Sequence, residues 1–383
     1  MSYFHIDIFE MQTPKQTETL CGDVIGVRRS EYATTIILSD GLGSGIKANI
    51  AANLCVSRIL GLINNGATYR EAFKTMVSSM NKVWGTKSPF AVFTVAQILN
   101  NGKTTVLSYE MPSPILVSKR AARVISDRVY TIEKAIINET DISLELGEGL
   151  LLLSDGITQA GLGRGLQNGW ESEGVAKYAT MLLQDNSIDE DSLIVEINKR
   201  AFELWGRRNG DDCSILYAKS RNGIVLNILT GLPRDKSLDQ QYVKNFMSNK
   251  GFKVVCGGST AKVVAREMHR TLQVKPSSNP TITPPNYIID GIDLATEGII
   301  TLNQVYNLLD ENIYNPIDPD NPVYKIIDLI NNADRINIWT GTTKNEGITI
   351  EFKQQGILLR NKIIPLIVEK LKMMGKLVVY NEV

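Results

Sequence analysis

The sequence feature that most constrains the fold is a change, close to residue 220, in the order in which strand-like and helical segments follow one another. Before it, short apolar runs typical of strands come in groups that are separated by paired helical segments. After it, single strand-like and helical segments alternate. At 383 residues the chain is also too long for one ordinary core. We therefore expect two domains, residues 1–220 and 223–383, separated at a polar turn.

The pattern of the first 220 residues predicts an α+β domain. Two pairs of helical segments, 46–64 with 69–83 and 172–184 with 190–205, interrupt the strands. Because strands and helices do not alternate singly here, the pattern favours a β-sandwich with helix pairs on its outer faces. The predicted strands are 32–38, 91–99, 104–109, 115–118, 150–154 and 213–218.

The alternation after residue 222 predicts a separate α/β domain with a mainly parallel sheet. Residues 276–285 are rich in proline and are expected to form a linker. The predicted strands are 224–230, 252–256, 287–290, 335–340 and 377–380. The predicted helices are 238–249, 260–272, 302–309, 323–331 and 357–374.

Glycine and hydroxyl residues follow several strands of this second domain. Parallel strand ends gather at one edge of a sheet, which is where open α/β sheets bind ligands. The run Gly257, Gly258, Ser259 and Thr260 also opens a helix, whose free N–H groups favour an anion. We therefore expect a small anionic ligand there. The alternative is a structural domain, because glycine and threonine are also ordinary turn and capping residues.

Composition excludes several classes of function. Lys and Arg balance Asp and Glu at 41 each, so no overall charge favours nucleic acid. The first residues show no signal peptide and the apolar runs are too short for a membrane span, so we expect a cytoplasmic protein. The four cysteines lack CxxC spacing, which disfavours zinc and disulfides. With only His5 and His269 available, hydrolytic chemistry should rest on carboxylates.

Acidic residues stand at the predicted strand ends and tight turns of the first domain. They are Asp23, Asp40, Asp155 and the pair Asp211 and Asp212. Converging carboxylates would repel one another strongly unless divalent cations lay between them. Oxygen ligands suit magnesium or manganese rather than zinc. Two such ions would present an activated water to a phosphorus atom.

Three motifs carry a resemblance to a known family. SDGLGSG at 39–45, LSDGIT at 153–158 and GDDCS at 210–214 resemble the metal-dependent, type 2C protein phosphatases. They are most similar to the bacterial stage II sporulation protein E-like branch, over about residues 18–218. The resemblance implies a β-sandwich flanked by helix pairs and a signalling serine/threonine phosphatase that requires two Mn²⁺ or Mg²⁺ ions. Its substrate would be a phosphorylated regulatory protein.

The resemblance also implies roles for individual residues. Asp40 resembles the catalytic aspartate that bridges both ions, and Gly41 would supply a backbone carbonyl. Asp155 and Asp211 look like ligands of one ion each, or of the second ion. Asp23 resembles the early acidic residue close to the first ion.

Other positions are supporting residues or substrate contacts in this interpretation. Asp212 stands beside the last ligand and would orient it. Eukaryotic members grip phosphate with an arginine before the first acidic residue, but residues 16–20 contain none. Arg28 or Arg29 would then assist the metals, and Arg164 would contact substrate from a glycine-rich flap. Each of these arginines is otherwise an ordinary surface residue.

Two other interpretations of the first domain compete with a phosphatase. The GLGSG run at 41–45 follows a strand and precedes a helix, yet it lacks the third glycine of a dinucleotide loop and the lysine of a Walker loop. A non-catalytic scaffold with a phosphatase-like fold is the stronger rival. Degenerate members usually lose the metal-binding aspartates, whereas Asp40, Asp155 and Asp211 are all present. Metal-stimulated hydrolysis of a phosphate ester would distinguish enzyme from scaffold.

Overall fold

The structure, a computed structural model, divides into two compact units. They comprise Tyr3–Asn222 and Gly223–Val383. The residues that it describes are 3–84, 90–184, 188–208, 210–275, 284–311, 321–343 and 356–383. Most of the predicted proline-rich linker, residues 276–283, lies outside the described residues.

Two antiparallel sheets form the centre of the first unit. One sheet has the strand order β1-β11-β10-β6-β7 and the other β2-β3-β4-β5-β9-β8. The strands are β1 Phe4–Thr13, β2 Val24–Arg29, β3 Ala33–Gly41, β4 Ala91–Leu99, β5 Lys103–Tyr109, β6 Ile115–Val117, β7 Ala122–Val124, β8 Arg128–Ile132, β9 Ala135–Ser143, β10 Gly149–Leu153 and β11 Cys213–Asn222. The helices are α1 Gly45–Asn64, α2 Tyr69–Trp84, α3 Asp155–Thr158, α4 Glu171–Leu183 and α5 Glu190–Leu204.

Apolar side chains at alternate positions of the strands fill the space between the two sheets. Ile36 and Leu38 of β3 pack there against Leu150 and Leu152 of β10, all almost fully buried. Separate apolar layers join α1 and α2 to one sheet and α4 and α5 to the other. The first unit is therefore a β-sandwich flanked by helices, which confirms the predicted fold class.

Helix α1 lies against one sheet of this sandwich. It is long and apolar enough to cross a membrane by length and composition alone, a test that core helices of soluble proteins also pass. Ala48, Ala52 and Cys55 are fully buried on its inner face. Packing in the core accounts for these apolar residues.

The first and last strands of this unit pair with each other. Strand β1 runs antiparallel to β11 with Phe4 opposite Asn222 and Thr13 opposite Cys213. Neither β1 nor β9 was predicted from the sequence. Polar residues interrupt the apolar pattern of both strands, so only the pairing partner makes them recognisable as strands.

The second unit is an α/β domain built on a seven-stranded sheet in the order β14-β15-β16-β13-β12-β17-β18. The five neighbouring strands β16, β13, β12, β17 and β18 run parallel to one another. The strands are β12 Val225–Thr230, β13 Phe252–Cys256, β14 Gln273–Lys275, β15 Asn286–Ile288, β16 Leu294–Thr296, β17 Arg335–Thr340 and β18 Leu377–Glu382. The helices are α6 Asp239–Ser248, α7 Gly258–Glu267, α8 Ile299–Leu308, α9 Pro322–Asn332 and α10 Arg360–Met373.

One predicted strand of this sheet takes a different role. The segment predicted at 287–290 contributes to β15, which is antiparallel to β16. The third parallel strand is instead β16, whose three residues are too few for a periodic pattern. Asp290 and Gly291 therefore do not lie at the ligand-binding edge, and Asp290 forms an ion pair with Arg270 at 3.0 Å.

Apolar residues cover both faces of the parallel strands. Leu226 and Ile336 pack towards α8, α9 and α10 on one face. Leu229 and Val255 pack towards α6 and α7 on the other. This two-sided burial is the reason that the strands read as continuous apolar runs.

Candidate metal centre

Strand ends carry the predicted acidic residues. Asp40 lies at the end of β3, and Asp23 directly precedes β2, whose Val24 pairs with Ser39. Asp155 opens α3 directly after β10, and Asp211 precedes the adjacent strand β11. The carboxyl groups of Asp40 and Asp155 are close enough to share a hydrogen bond. The two sheets thus bring together residues that are more than a hundred positions apart.

Asp23 is the most unusual of these residues. It is 2% exposed, and neither carboxylate oxygen has a hydrogen-bond partner among the described residues. The hydroxyls of Ser154 and Ser214 lie close enough to favour the charged form, but neither reaches hydrogen-bonding geometry. Burial first, and then the negative charge of Asp212, raises the pKa of Asp23 to about 7. A buried carboxylate without a partner is expensive to keep charged.

The pKa values of Asp40 and Asp155 are raised as well. Burial raises the pKa of Asp40 to about 9, and the charges of Asp23 and Asp155 add to the effect. The pKa of Asp155 is also raised, by burial and by the charge of Asp211. The site therefore concentrates more negative charge than the surrounding groups neutralise, which is the environment that a bound cation would relieve.

The close approach of α1 explains the glycine that follows Asp40. A Cβ on Gly41 would lie 1.9 Å from the carbonyl oxygen of Ala48, so any side chain would push the helix away. Further along the loop, the Ser44 hydroxyl donates a hydrogen bond to Glu18 at 3.2 Å. The sequence patterns gave no signal for Glu18, because it belongs to no motif.

Asp212 and Asp211 have different surroundings. Asp212 is 4% exposed, and its Oδ1 accepts a hydrogen bond from the backbone N–H of Lys15 at 2.9 Å. Asp211 is more accessible and pairs with the Lys15 ammonium group at 3.6 Å. Asp212 therefore anchors the segment that leads to Asp23, and its role beside the last metal ligand stays a prediction.

Two further contacts near Asp155 were not predicted. The amide of Gln159, one helical turn on, donates a hydrogen bond to Asp155 Oδ2 at 2.8 Å. The indole N–H of Trp205 donates to the carbonyl of Gly156 at 2.8 Å. The first contact follows helical i, i+4 spacing and was recognisable in principle, whereas the second joins residues 49 positions apart.

The three predicted arginines lie in different places. Arg28 donates to Asn64 Oδ1 at 2.6 Å, and Arg29 donates to the carbonyl of Ile6 at 2.8 Å. At about 3.3 Å per strand residue, both lie roughly 16–20 Å along the chain from Asp23. The structure thus does not bring them to the aspartates. Arg164 belongs to the loop after α3, and its guanidinium lies against Gly206.

The donor set fits a hard cation. Its carboxylates and the Gly41 carbonyl are oxygen ligands of the kind that Mg²⁺ and Mn²⁺ prefer. Within the part of the chain that the structure describes, no three acidic, His or Cys groups already stand at metal-binding positions. The partnerless oxygens of Asp23 are the observation that favours a bound ion.

Comparison with known proteins identifies the family. The model of the stage II sporulation protein E (SpoIIE) family matches residues 30–221. The chain belongs to this family. No curated protein matches it.

Solved structures resemble the fold of the first unit. The PP2C phosphatase domain of SpoIIE from Bacillus subtilis, with a fragment of its regulatory domain, has a TM-score of 0.50 at 14% identity, covering 58% of this chain and 64% of that one. Another crystal form of this phosphatase domain has a TM-score of 0.45 at 12% identity, covering 58% and 95%. The RsbU and RsbW domains of a Mycobacterium tuberculosis protein give 0.47 at 18% identity, covering 64% and 69%.

Family membership and fold are consistent with each other. The SpoIIE family model covers residues 30–221, which hold every strand of the β-sandwich except β1 and β2 and include Asp40, Asp155 and Asp211. The structural match to a PP2C phosphatase domain covers 58% of the chain. The chain is therefore a member of the SpoIIE family that contains the fold of a PP2C phosphatase domain.

Proposed function

We propose that the first unit hydrolyses phosphoserine or phosphothreonine in a regulatory phosphoprotein of the cytoplasm. Asp23, Asp40, Asp155, Asp211 and the carbonyl of Gly41 would hold two Mg²⁺ or Mn²⁺ ions. When bound, such ions supply an activated water and neutralise the charge on the phosphate. The observation that carries the proposal is the buried Asp23 carboxylate, which has no partner of its own among the described residues.

The chain's own residues position this site. Gln159 donates to Asp155 and holds one of its oxygens, which leaves the other for a ligand. Asp212 fixes the backbone at Lys15, which orients the segment before Asp23. Asp23 is buried and Asp40 is half-buried, and the low polarity around them strengthens each charge interaction at the site. Arg164 is the proposed substrate contact, since its loop directly follows α3.

The decisive experiment compares Asp40→Asn with Asp141→Asn. Asp141 lies exposed on β9, where it accepts a hydrogen bond from Thr105, and so provides a charge-matched control away from the site. Hydrolysis of a phosphoserine peptide should need added Mn²⁺ or Mg²⁺ and stop in chelator. Asp40→Asn should lose at least a hundredfold in rate, equivalent to roughly 3 kcal/mol or more, because an amide cannot replace a bridging charge.

Circular dichroism of both variants checks that the fold is retained. Activity that survives both Asp40→Asn and chelation would rule out the two-metal interpretation. Absence of activity in the folded wild type with Mn²⁺ would instead favour the non-catalytic scaffold.

The second unit is proposed as a sensor or docking domain for a small anion. Gly257 has φ of +130°, and the chain turns there from β13 into α7. Thr260 is buried, and its hydroxyl accepts a hydrogen bond from the backbone N–H of Gly231 at 3.1 Å. This bond joins the turn at Gly257, Gly258, Ser259 and Thr260 to the end of β12, so both belong to one edge of the sheet. A ligand would alter hydrolysis only by favouring one conformation of the chain.

A further inference from the structure

An arginine without a carboxylate partner among the described residues lies at the expected ligand-binding edge of the second unit. Arg360 is half-buried at the start of α10, and among the described residues its only hydrogen bond goes to the carbonyl of Thr343. No carboxylate of the described chain pairs with it. A Cβ on Gly231 would lie 2.3 Å from the Arg360 Cζ, so the guanidinium rests directly on that glycine. Buried charges are normally paired, which makes this arginine an exception.

The start of α10 adds to the uncompensated positive charge. The helix has 14 residues, its N-cap Leu359 offers no side-chain cap, and its first turn contains no acidic residue. The N-terminus of a helix carries partial positive charge from its free N–H groups. Placing Arg360 there is unfavourable unless an anion completes the arrangement.

A second polar group near this edge is buried and would be satisfied by a ligand. Tyr242 of α6 is 2% exposed, and its hydroxyl has no hydrogen-bond partner among the described residues. Burial raises the pKa of Tyr242, and the positive charge of Arg360 opposes that rise, so the two groups lie within electrostatic range of each other. Helix α6 packs on one face of the sheet and α10 on the other. Arg360 therefore reaches over the edge of the sheet, where Gly231 leaves room.

The strand order marks this edge as the expected ligand site. Strand β12 lies between β13 and β17 in the sheet. After β12 the chain adds β13 and β16 on one side of it, and then returns to add β17 and β18 on the other side. The order therefore reverses between β12 and β17. Open α/β sheets bind ligands beyond the carboxyl ends of the strands at such a reversal. Gly231 follows β12 and Thr343 follows β17, so Arg360 spans this crevice.

We infer that Arg360 and Tyr242 form a binding site for the phosphate or carboxylate group of a small metabolite. The guanidinium offers two parallel N–H donors to such an oxyanion, and the buried phenol offers a third. The site lies beside the Gly257 to Thr260 turn but does not depend on it. This inference rests on the sensor role proposed above only for its effect on hydrolysis, because binding is measured separately.

Calorimetric titration of the full-length protein tests the site. The probes are inorganic phosphate, glycerol 3-phosphate and succinate, which separate free phosphate, a phosphate ester and a carboxylate. Chelator in the buffer keeps phosphate from binding to metal at the aspartates. At least one probe should bind wild type with one-to-one stoichiometry.

Arg360→Gln should weaken that binding by about tenfold or more, and Tyr242→Phe by several-fold. The matched control is Lys362→Gln, which removes an exposed charge from the same helical turn and should leave the affinity unchanged. Without anion, Arg360→Gln should melt no lower than wild type, since an unpaired charge is removed. A lower melting temperature without anion would overturn the inference in favour of a structural arginine.

Equal affinity of wild type and Arg360→Gln, or no binding of any probe, would also overturn it. Should Arg360→Gln fail to fold, Tyr242→Phe decides, and unchanged affinity in that variant refutes the site. Binding without any effect on hydrolysis would refute the sensor role alone. Failure of hydrolysis with intact anion binding would refute the phosphatase proposal alone.

Discussion

Replacement of Asp23 by asparagine should stabilise the metal-free protein while it removes function. The pKa of Asp23 rises from 3.8 to about 7 through burial and neighbouring charge, equivalent to roughly 4 kcal/mol lost above pH 7. An asparagine would still bury a polar group without partners, at a cost of about 1–3 kcal/mol. We therefore expect a net gain of about 1–3 kcal/mol in the free energy of unfolding, which corresponds to about 3–8 °C in Tm.

The sign of this effect depends on pH. A carboxyl group whose pKa is raised by folding contributes its stability below its unfolded pKa, close to 4, and loses it as the pH rises through 7. Asp23→Asn has no such loss. The two proteins should thus differ little at pH 4 and most at pH 8 in chelator. Added Mn²⁺ should reverse the order, because it binds only the folded wild type tightly.

Thermal melts in chelator and in Mn²⁺, at pH 4, 6 and 8, measure these differences. Asp141→Asn is the matched control and should stay within about 0.5 kcal/mol of wild type throughout. If Asp23→Asn melts at or below the temperature of wild type in chelator at pH 8, burial of this carboxylate does not destabilise the folded protein. Equal stabilisation of both proteins by Mn²⁺ would remove Asp23 from the metal ligands.

Three further predictions concern other parts of the chain. Residues 1–222 expressed alone should melt cooperatively and keep full phosphatase activity, whereas aggregation of this fragment would show that the two cores are shared. Gly258→Asp adds a Cβ 3.0 Å from the Tyr287 hydroxyl, which must shift by a few tenths of an ångström; the variant should fold, which circular dichroism checks, and should weaken anion-induced stabilisation without altering hydrolysis of a small ester. Trp205→Phe removes the bond to Gly156 and should lower kcat by about threefold to tenfold through Asp155; an unchanged rate in steady-state assays would assign Trp205 to packing alone.

Sequence patterns predicted the elements that have strong periodicity. Helix α1 was predicted within one residue of its observed bounds because its buried residues recur at helical spacing. Strand β9 was not predicted, since Glu139 and Thr140 are buried polar residues in its centre. Glu139 is held there by ion pairs with Arg70 and Arg128, which no local pattern reveals.

The candidate site shows the same division. Asp40 and Asp155 stand in short motifs, so their importance was visible along the chain. The contact of Lys15 with Asp212 joins residues 197 positions apart and follows only from the fold. Arg360 has no motif either, and its significance lies in the absence of a carboxylate beside it in the described structure. Motifs thus predict ligands, whereas the groups that position or neutralise them depend on tertiary structure.

The pairing of β1 with β11 has a consequence for synthesis of the protein. Strand β1 leaves the ribosome well before β11, and its partner is complete only when Asn222 has emerged. Closing so long a loop is slow compared with local helix formation, and until then both edges of β1 are unpaired, whereas only one is open in the folded sheet. Asp211 emerges just before β11, so the nascent chain acquires the last of its proposed metal ligands and the pairing partner of β1 almost together. A ribosome stalled before residue 211 would hold a chain that lacks both.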